Sequence, residues 1–181
     1  MIMLWQTIDN LTSKNLPQRA KELRKYLEGL PDQDLISFHR ESVDTFLKLF
    51  TPQVYHLYCI AFDGEANGSG LTDFCSNLML AGRSLTEAVL LNPDNFASVA
   101  DMEPFNQDNG IDVSSMAQHI LVKRYMDDSA GSKFNGVHIE PLHDIWGDLE
   151  NQIGPITFEP AWQLAESTLP RIYARVRGNV K

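Results

Sequence analysis

The apolar positions of the chain recur at helical spacing, and prolines and glycines mark where the predicted helices end. Hydrophobic residues at three- and four-residue intervals predict a helix over 17–29 and another over 31–50. Thr51 followed by Pro52 is typical of an N-cap with a proline at the first helical position. The apolar run over 54–62 then predicts a mostly buried helix, although a run this short also fits a strand.

Helical spacing continues through the second half of the chain. Further helices are predicted over 71–82, 84–92, 114–126 and 161–176. Ser84 and Glu87 have the spacing of a capping box, which predicts that the second of these helices begins there. Pro170 lies inside the last one and predicts a break or a kink, because proline removes a helical hydrogen bond.

The fold class follows from this pattern. No sustained alternation of apolar and polar positions marks a strand. The sequence therefore predicts a mainly α protein, a compact multi-helix single domain over 1–181, with room for one small β-hairpin in 104–113 or 133–139. Within it we distinguish an acidic loop over 101–112 and a basic C-terminal tail over 171–181.

Charge is distributed unevenly along the chain. The net charge is −9, and no Lys or Arg occurs between Arg83 and Lys123. A negative field of this kind repels nucleic-acid backbones and anionic lipids and attracts basic protein partners. The alternative is a solvated surface that serves solubility alone. The sequence thus predicts a protein partner and argues against nucleic acid and membranes.

Cysteine usage and the chain start bear on location. Cys59 and Cys75 both lie in apolar predicted helices, which suits a reducing compartment better than a disulfide framework. The first residues lack a basic leader and a long apolar core, so they do not resemble a secretion signal. No apolar run approaches the roughly 18 residues of a membrane helix. We therefore expect a cytoplasmic protein.

The stretch over 62–74 begins like a calcium-binding loop. Asp63, Glu65 and Asn67 occupy alternate positions there, as the first three ligands of such a loop do, and Gly68 follows at the sixth position. The twelfth position, which must supply a bidentate carboxylate, is Phe74. We therefore interpret the stretch as an interhelical turn. Three glycines are expected to supply its positive φ angles, Gly64, Gly68 and Gly70.

Two other groups of residues are candidates for chemistry. Glu140 and His143 have the Glu-x-x-His spacing of di-iron bundles, but no second such pair occurs, so Glu140 is interpreted as a helix N-cap. His56 precedes Cys59 by three residues and could share its helix face, but an apolar surrounding makes a thiol inert. The basic tail is expected to complement a helix C-terminus.

Several phrases of the sequence resemble a known bacterial family. They are LWQTI at 4–8, GSGLTDFCSNLMLAGR at 68–83, NPDNFA at 92–97 and LPRIYARV at 169–176. The chain is similar in these phrases to the bacterial domain-of-unknown-function family four-two-four-zero. The resemblance implies a helical fold, and it implies that the glycine-rich stretch is the family's interhelical turn.

This chain departs from the family pattern at its polar positions. Gly68 and Ser69 stand where the family has paired acids, Cys75 where it has an arginine, and Asn77 where it has a tryptophan. The packing residues of the block are kept, and so is the glycine that ends it. The resemblance therefore implies the fold, and it implies no activity that depends on the missing polar set.

The function predicted from the sequence is a non-catalytic protein-interaction module, such as a bacterial immunity or antitoxin-type protein that binds a basic toxin or effector. The predicted contacts are Glu87, Asp94, Asp101, Glu103, Phe105, Asp108 and Asp112. No enzymatic activity, metal or cofactor is predicted. One alternative is a metal-dependent enzyme or regulator that uses Asp63 and Glu65, or Glu140 and His143. Another is a structural subunit that forms homo-oligomers, such as a homodimer.

Overall fold

The computed structural model describes residues 4–62, 68–106, 112–126 and 164–178. Its α-helices are α1 (Leu4–Asp9), α2 (Leu16–Glu28), α3 (Asp32–Leu49), α4 (Pro52–Ala61), α5 (Gly68–Ala81), α6 (Arg83–Leu91), α7 (Val113–Met126) and α8 (Pro170–Gly178). Two 3₁₀ helices follow α6, at Pro93–Ser98 and Glu103–Asn106, and a helical turn at 164–168 precedes α8. These ranges contain no strand, so the prediction of a mainly α fold is confirmed.

Helix α5 lies at the centre of the described fold. It contacts α1, α2, α3, α4, α6 and α7, as well as the second 3₁₀ helix. Leu71, Phe74, Cys75 and Leu78 of α5 are all fully buried, as a helix surrounded by other helices requires. Among the helices that the structure describes, α3 and α7 pack against each other most extensively.

The helix ends predicted from proline and polar caps are largely confirmed. Thr51 Oγ1 accepts a hydrogen bond of 3.3 Å from the backbone N–H of Val54, with Pro52 in the first helical position of α4. The chain bends at 169, and Pro170 begins α8, as expected from its lack of a backbone donor. In these places a local residue pattern correctly indicates where a helix starts.

Two charged side chains of α2 hold the connection between α1 and α2. The Glu22 carboxylate accepts hydrogen bonds from the backbone N–H groups of Thr12 and Ser13 and from the Thr12 hydroxyl. These bonds, the Thr12 backbone bond first, lower the pKa of Glu22 to about 2. The Arg19 guanidinium donates to the carbonyl oxygens of Leu11 and Ser13 in the same connection. The link is therefore fixed by charged groups although it has no regular structure.

The predicted capping box at the start of α6 is wrong. The helix begins at Arg83, with Gly82 as its N-cap, so Ser84 lies inside the first turn. The backbone N–H of Arg83 donates instead to Asp9 Oδ1 at the end of α1, over 3.1 Å. Thr86 is buried, and its hydroxyl donates to the carbonyl oxygens of Leu78 and Gly82. The cap of α6 thus comes from a distant helix, which explains why local spacing misplaces it.

Gly82 is the position where this arrangement most requires glycine. Its φ of 115° is one that other residues rarely adopt, and a Cβ built there would lie 2.9 Å from Asp9 Oδ1. We expect Gly82→Ala to lower the free energy of unfolding by about 2 kcal/mol, because the strain adds to a displaced cap. Gly178→Ala is the matched control, since a Cβ added at Gly178 would meet nothing within 4 Å. Equal urea midpoints for the two variants would contradict this expectation.

The glycine-rich stretch is only partly described. Gly68 and Gly70 lie within α5, so the prediction that they supply positive φ angles in a turn is wrong. Gly64, Asp63 and Glu65 lie outside the described residues. Phe74, which denies the stretch a twelfth ligand, is fully buried in the core. The helix after the turn therefore starts three residues earlier than its apolar spacing predicts, because glycine can adopt helical angles as well as turn angles.

The described helices also bear on membrane insertion. Within the residues placed by the structure, none is both long enough and apolar enough to cross a lipid bilayer.

Candidate functional site

The acidic positions predicted to bind a partner lie mostly in the acid-rich segment, which we define as residues 84–106. It contains Glu87, Asp94, Asp101 and Glu103 and no Lys or Arg. It comprises most of α6, both 3₁₀ helices and the turn between them. The 3₁₀ helix Pro93–Ser98 packs against α4, α6 and α8, and the second packs against α5. The segment is therefore held by the core at several points.

Three of the four acids of this segment are exposed. The Glu87 side chain is 53% exposed and pairs with Arg83, one helical turn earlier, at 2.6 Å between Oε1 and Nε. Glu103 is exposed at the start of the second 3₁₀ helix, and Asp101 is exposed just before it. Asp101 Oδ1 accepts a hydrogen bond from the Glu103 backbone N–H. These three carboxylates are accessible to a partner.

Asp94 has a different position, buried with 4% of its surface exposed. Its carboxylate accepts hydrogen bonds from the backbone N–H groups of Arg171 and Ile172, at 2.9–3.1 Å. These are the first free N–H groups of α8, because Pro170 has none. Asp94 therefore caps α8 from a distance and is not a surface group in this fold.

Phe105 and Asp112 also have structural positions. Phe105 is buried and stacks edge-on against Phe96, with ring centroids 5.1 Å apart. Asp112 Oδ1 accepts from the backbone N–H and the hydroxyl of Ser114 and from the Ser76 hydroxyl, at the start of α7. Phe105 as an apolar anchor for a partner is thus not available on this surface. Asp108, the remaining predicted contact, lies outside the described residues.

Basic side chains of α8 lie on the acid-rich segment. Arg175 donates to the carbonyl oxygens of Ala97 and Ala100 at 2.8 and 2.9 Å, and also to that of Val99. Arg171 donates to Asn95 Oδ1 at 3.2 Å. Arg175 thus binds one carbonyl oxygen in the last turn of the 3₁₀ helix Pro93–Ser98, that of Ala97, and two just after it, which agrees with the expectation that the basic tail complements the C-terminal end of a helix. The tail therefore offsets part of the negative charge.

A buried polar cluster, which the sequence did not suggest, joins α3 to the start of α7. His39 Nδ1 lies 2.9 Å from the backbone carbonyl oxygen of Ser114, so Nδ1 carries the proton of the neutral ring. The Ser42 hydroxyl donates to the His39 carbonyl, and the Ser114 hydroxyl to Asp112. The hydroxyls thus donate to carbonyl and carboxylate oxygens, and the cluster ties two helices together.

His39 makes the stability of the fold depend on pH. Burial lowers the pKa of His39 below its usual 6.5, against the opposing effect of the Ser114 carbonyl. The unfolded chain therefore binds the proton more readily, and this contribution to stability is lost as the pH falls from 6.5 through the lowered pKa. We expect His39→Asn, whose amide can still donate to Ser114, to flatten this fall in urea titrations.

His119 supplies the control, because it is exposed on α7. A change of pH slope that appears in His39→Asn and not in His119→Asn is assigned to the buried ring of His39. Some slope remains in both variants, since burial also lowers the pKa of His56. An unchanged slope in His39→Asn would show that His39 is not the group responsible.

The candidates for nucleophilic and metal chemistry are distributed as follows. Cys59 and Cys75 are buried free thiols, as predicted, and burial raises the pKa of both. A thiol with a raised pKa is a poor nucleophile at neutral pH. Among the residues that the structure places, no group of three or more His, Cys, Asp or Glu side chains could hold a metal ion. The Glu140 and His143 pair lies outside the described residues.

A shallow cleft of about 280 Å³ lies between α2 and α7. Its lining residues are Arg24, Glu28, His119, Ile120, Lys123 and Arg124. Two of the cations already have partners, since Arg24 pairs with Glu28 and Arg124 binds Asp32 and the Glu28 carbonyl oxygen. Lys123 and Arg124 also lie in the last turn of α7, where they offset the helix dipole. Much of the polar lining of this cleft is thus already paired within the fold.

The roles of Asp94 and Arg175 in holding α8 could not be predicted from the spacing of residues along the sequence. Asp94 and Arg175 lie in different parts of the sequence, and each acts on backbone groups of a remote element. The one local signal was Pro170, which indicates a helix start whose free N–H groups need acceptors. Asn77 of α5 is also buried, and it donates to the Phe105 carbonyl oxygen.

These features define a helical domain with a charged, core-anchored segment and a docked C-terminal helix. The family model described as protein of unknown function (DUF4240) matches residues 3–126, and the chain belongs to that family. The matched region ends with α7, so α8 lies beyond it. No curated protein and no solved structure matches the chain.

Proposed function

We propose that this chain is a non-catalytic protein-interaction module that binds a basic protein partner through its acid-rich segment. The observation that carries the proposal is the exposure of Glu87, Asp101 and Glu103 on a segment that has no Lys or Arg of its own. Carboxylates placed in this way attract a basic partner at long range and speed its capture.

Packing beneath the segment supports the proposal. Phe96 is fully buried, and its ring lies 5.3 Å from that of Phe74 and 5.1 Å from that of Phe105. The exposed acids are thus carried on backbone that the aromatic core anchors at two points. A recognition surface that is ordered before binding loses less conformational entropy when the partner arrives.

The contact set is smaller than the sequence suggested. Asp94, Phe105 and Asp112 hold the fold together, so the proposed contacts among the described residues are Glu87, Asp101 and Glu103. Because Arg83 pairs with Glu87, we assign the larger roles to Asp101 and Glu103. In an interface of this kind, complementary charges at the rim attract the partner. Because salt screens these charges, the affinity depends strongly on the salt concentration.

The biological setting is part of the same proposal. An immunity or antitoxin-type protein in the cytoplasm of a bacterium needs a surface complementary to its toxin and no chemistry of its own. The inert, buried thiols Cys59 and Cys75 suit a reducing compartment. The family resemblance suits a bacterial source, and the substituted polar positions suit a role without catalysis.

The test is a capture experiment with matched charge variants. The chain is immobilised and exposed to lysate of its source cells at about 0.05 M and about 0.5 M NaCl, which span strong and weak screening. We expect a basic protein to be held at low salt and released at high salt. The double variant Asp101→Lys/Glu103→Lys is expected to lose it.

Asp44→Lys/Glu166→Lys is the matched control, because both residues are exposed, lie outside the acid-rich segment and give the same change in net charge. It is expected to retain the partner. The proposal fails if no basic protein is held at low salt, if salt has no effect, or if both double variants lose binding equally.

A further inference from the structure

Helix α8 occupies a surface formed by residues within the matched range 3–126. It packs on α4 and on the 3₁₀ helix Pro93–Ser98. Ile172 is fully buried there, and Tyr173 and Val176 are partly buried against the core. The opposite face of α8 is exposed at Arg171, Ala174 and Arg177. The helix thus resembles an amphipathic ligand that is bound along one side.

The polar part of this surface accepts hydrogen bonds in two places. Asp94 lies buried at the N-terminal end of α8 and accepts three contacts from the N–H groups of Arg171 and Ile172. One turn further along, the carbonyl oxygens of Ala97, Val99 and Ala100 surround the Arg175 guanidinium. A buried carboxylate and a cage of carbonyls are both costly to leave without donors.

The spacing of these two acceptor groups selects one kind of ligand. Asp94 fits the free N–H groups of a helix N-terminus and their positive dipole. The carbonyl cage fits an Arg that lies three residues after the apolar residue which enters the core, as Arg175 follows Ile172. A strand or an acidic helix cannot satisfy both groups. The surface therefore fits the first two turns of a basic amphipathic helix.

We infer that the partner binds here through a basic amphipathic helix that replaces α8, so that α8 is a built-in competitor for the binding site. This inference rests on the proposed function, because it names the part of the basic partner that is recognised. Asp101 and Glu103 lie next to the carbonyl cage in the sequence and attract the incoming helix. Displacement of α8 then exposes Asp94 and the carbonyls to it.

The test uses a fluorescent peptide with the sequence of residues 164–178 as a helix of known fit. In the full chain, Ile172→Asp/Arg175→Ala weakens the internal α8 and leaves the docking surface unaltered. We expect fluorescence anisotropy to show at least about tenfold tighter binding of the peptide to this variant than to the unaltered chain, whose site is occupied. Adding Asp94→Ala to the variant is expected to abolish binding.

Two binding results for the variant chains overturn the inference. One is a folded Ile172→Asp/Arg175→Ala chain, as judged by circular dichroism, that does not bind the peptide. The other is binding that survives Asp94→Ala. A peptide that carries the Ile172→Asp and Arg175→Ala changes is the matched control and is expected not to bind. If it binds as well as the natural sequence, the recognition described here is wrong.

Hydrogen exchange in the unaltered chain gives an independent measurement if the double variant does not fold. If α8 can leave the surface while the rest of the chain stays folded, its amides exchange before those of α3. Excess peptide is then expected to accelerate the exchange of the α8 amides. If the amides of α8 exchange only at the same rate as those of α3, α8 does not separate from the fold and the inference is overturned. If Asp101→Lys/Glu103→Lys loses the captured partner but excess peptide does not release that partner from the unaltered chain, the result supports the proposed function alone. Peptide binding without any captured basic protein supports the docking site alone.

Discussion

Replacement of Phe96 by alanine is expected to lower the free energy of unfolding by about 3–5 kcal/mol, as removal of a fully buried phenylalanine ring does in other cores. Phe96 has no exposed surface, and its ring contacts those of Phe62, Phe74 and Phe105 at centroid distances of 6.3, 5.3 and 5.1 Å. The substitution leaves a cavity in an aromatic cluster. It also removes the main anchor of the acid-rich segment. Urea denaturation followed by circular dichroism measures the loss.

Two variants make this result interpretable. Phe96→Leu keeps much of the volume and is expected to cost about 1–1.5 kcal/mol. Leu91→Ala lies five residues earlier in the same segment, but Leu91 is 85% exposed, so its change is expected to stay within about 0.5 kcal/mol. If Phe96→Ala unfolds at the same urea concentration as Leu91→Ala, the aromatic cluster does not anchor the segment.

Arg19→Ala is expected to lower the free energy of unfolding by about 2–4 kcal/mol, because the Arg19 guanidinium donates to four carbonyl oxygens that lose this donor in the variant. Its Nε donates to Leu80 at 2.6 Å, Nη2 to Ile8 at 2.8 Å, and Nη1 to Leu11 and Ser13 at 3.2 Å. The carbonyls of Ile8 and Leu80 belong to the last turns of α1 and α5. Arg19 therefore joins three helices at one point.

Arg24→Ala is the matched control for Arg19→Ala. Arg24 is on the same helix and makes an exposed contact of 3.4 Å with Glu28 one turn away. An exposed pair of this kind contributes about 0.5 kcal/mol or less. Arg19→Lys is expected to fall between the two, because an ammonium group has the charge but not the planar fork of donors. Similar urea midpoints for Arg19→Ala and Arg24→Ala would mean that the four carbonyl contacts contribute little.

The fold and the proposed function meet in the acid-rich segment. Phe96 anchors it from below, Asp94 and the carbonyls after Phe96 bind α8, and Asp101 and Glu103 remain exposed. A single short stretch thus has an apolar, a hydrogen-bonding and a charged role at neighbouring positions. Variants of each role can be compared directly, since loss of stability, loss of peptide binding and loss of partner capture are separate measurements.

The class of fold and many helix ends could be predicted because their causes are local. Apolar spacing, Thr51 with Pro52, and Pro170 each act within a few residues of the element that they define. The same reasoning failed at α6. Its N-cap is Gly82, and its capping carboxylate is Asp9, which lies 74 residues away in the sequence.

The candidate site was predicted only in outline. The sequence indicated an acid-rich stretch correctly, but it could not separate Asp101 and Glu103, which are exposed, from Asp94, which is buried under α8. That distinction depends on which residues meet across a sequence separation of 77 and 78 positions. The spacing of apolar residues in the acid-rich segment and in α8 does not indicate that Asp94 contacts the start of α8.

The amino-acid sequence by itself determined that this protein is built of helices, where many of them begin and end, and where its negative charge is concentrated. Only the tertiary structure decided which charged groups are used internally, as Asp94, Arg19 and Arg175 are. The physical reason is that helix formation depends on neighbours within a turn or two, whereas the free N–H and C=O groups at helix ends accept whichever partner the packing brings to them.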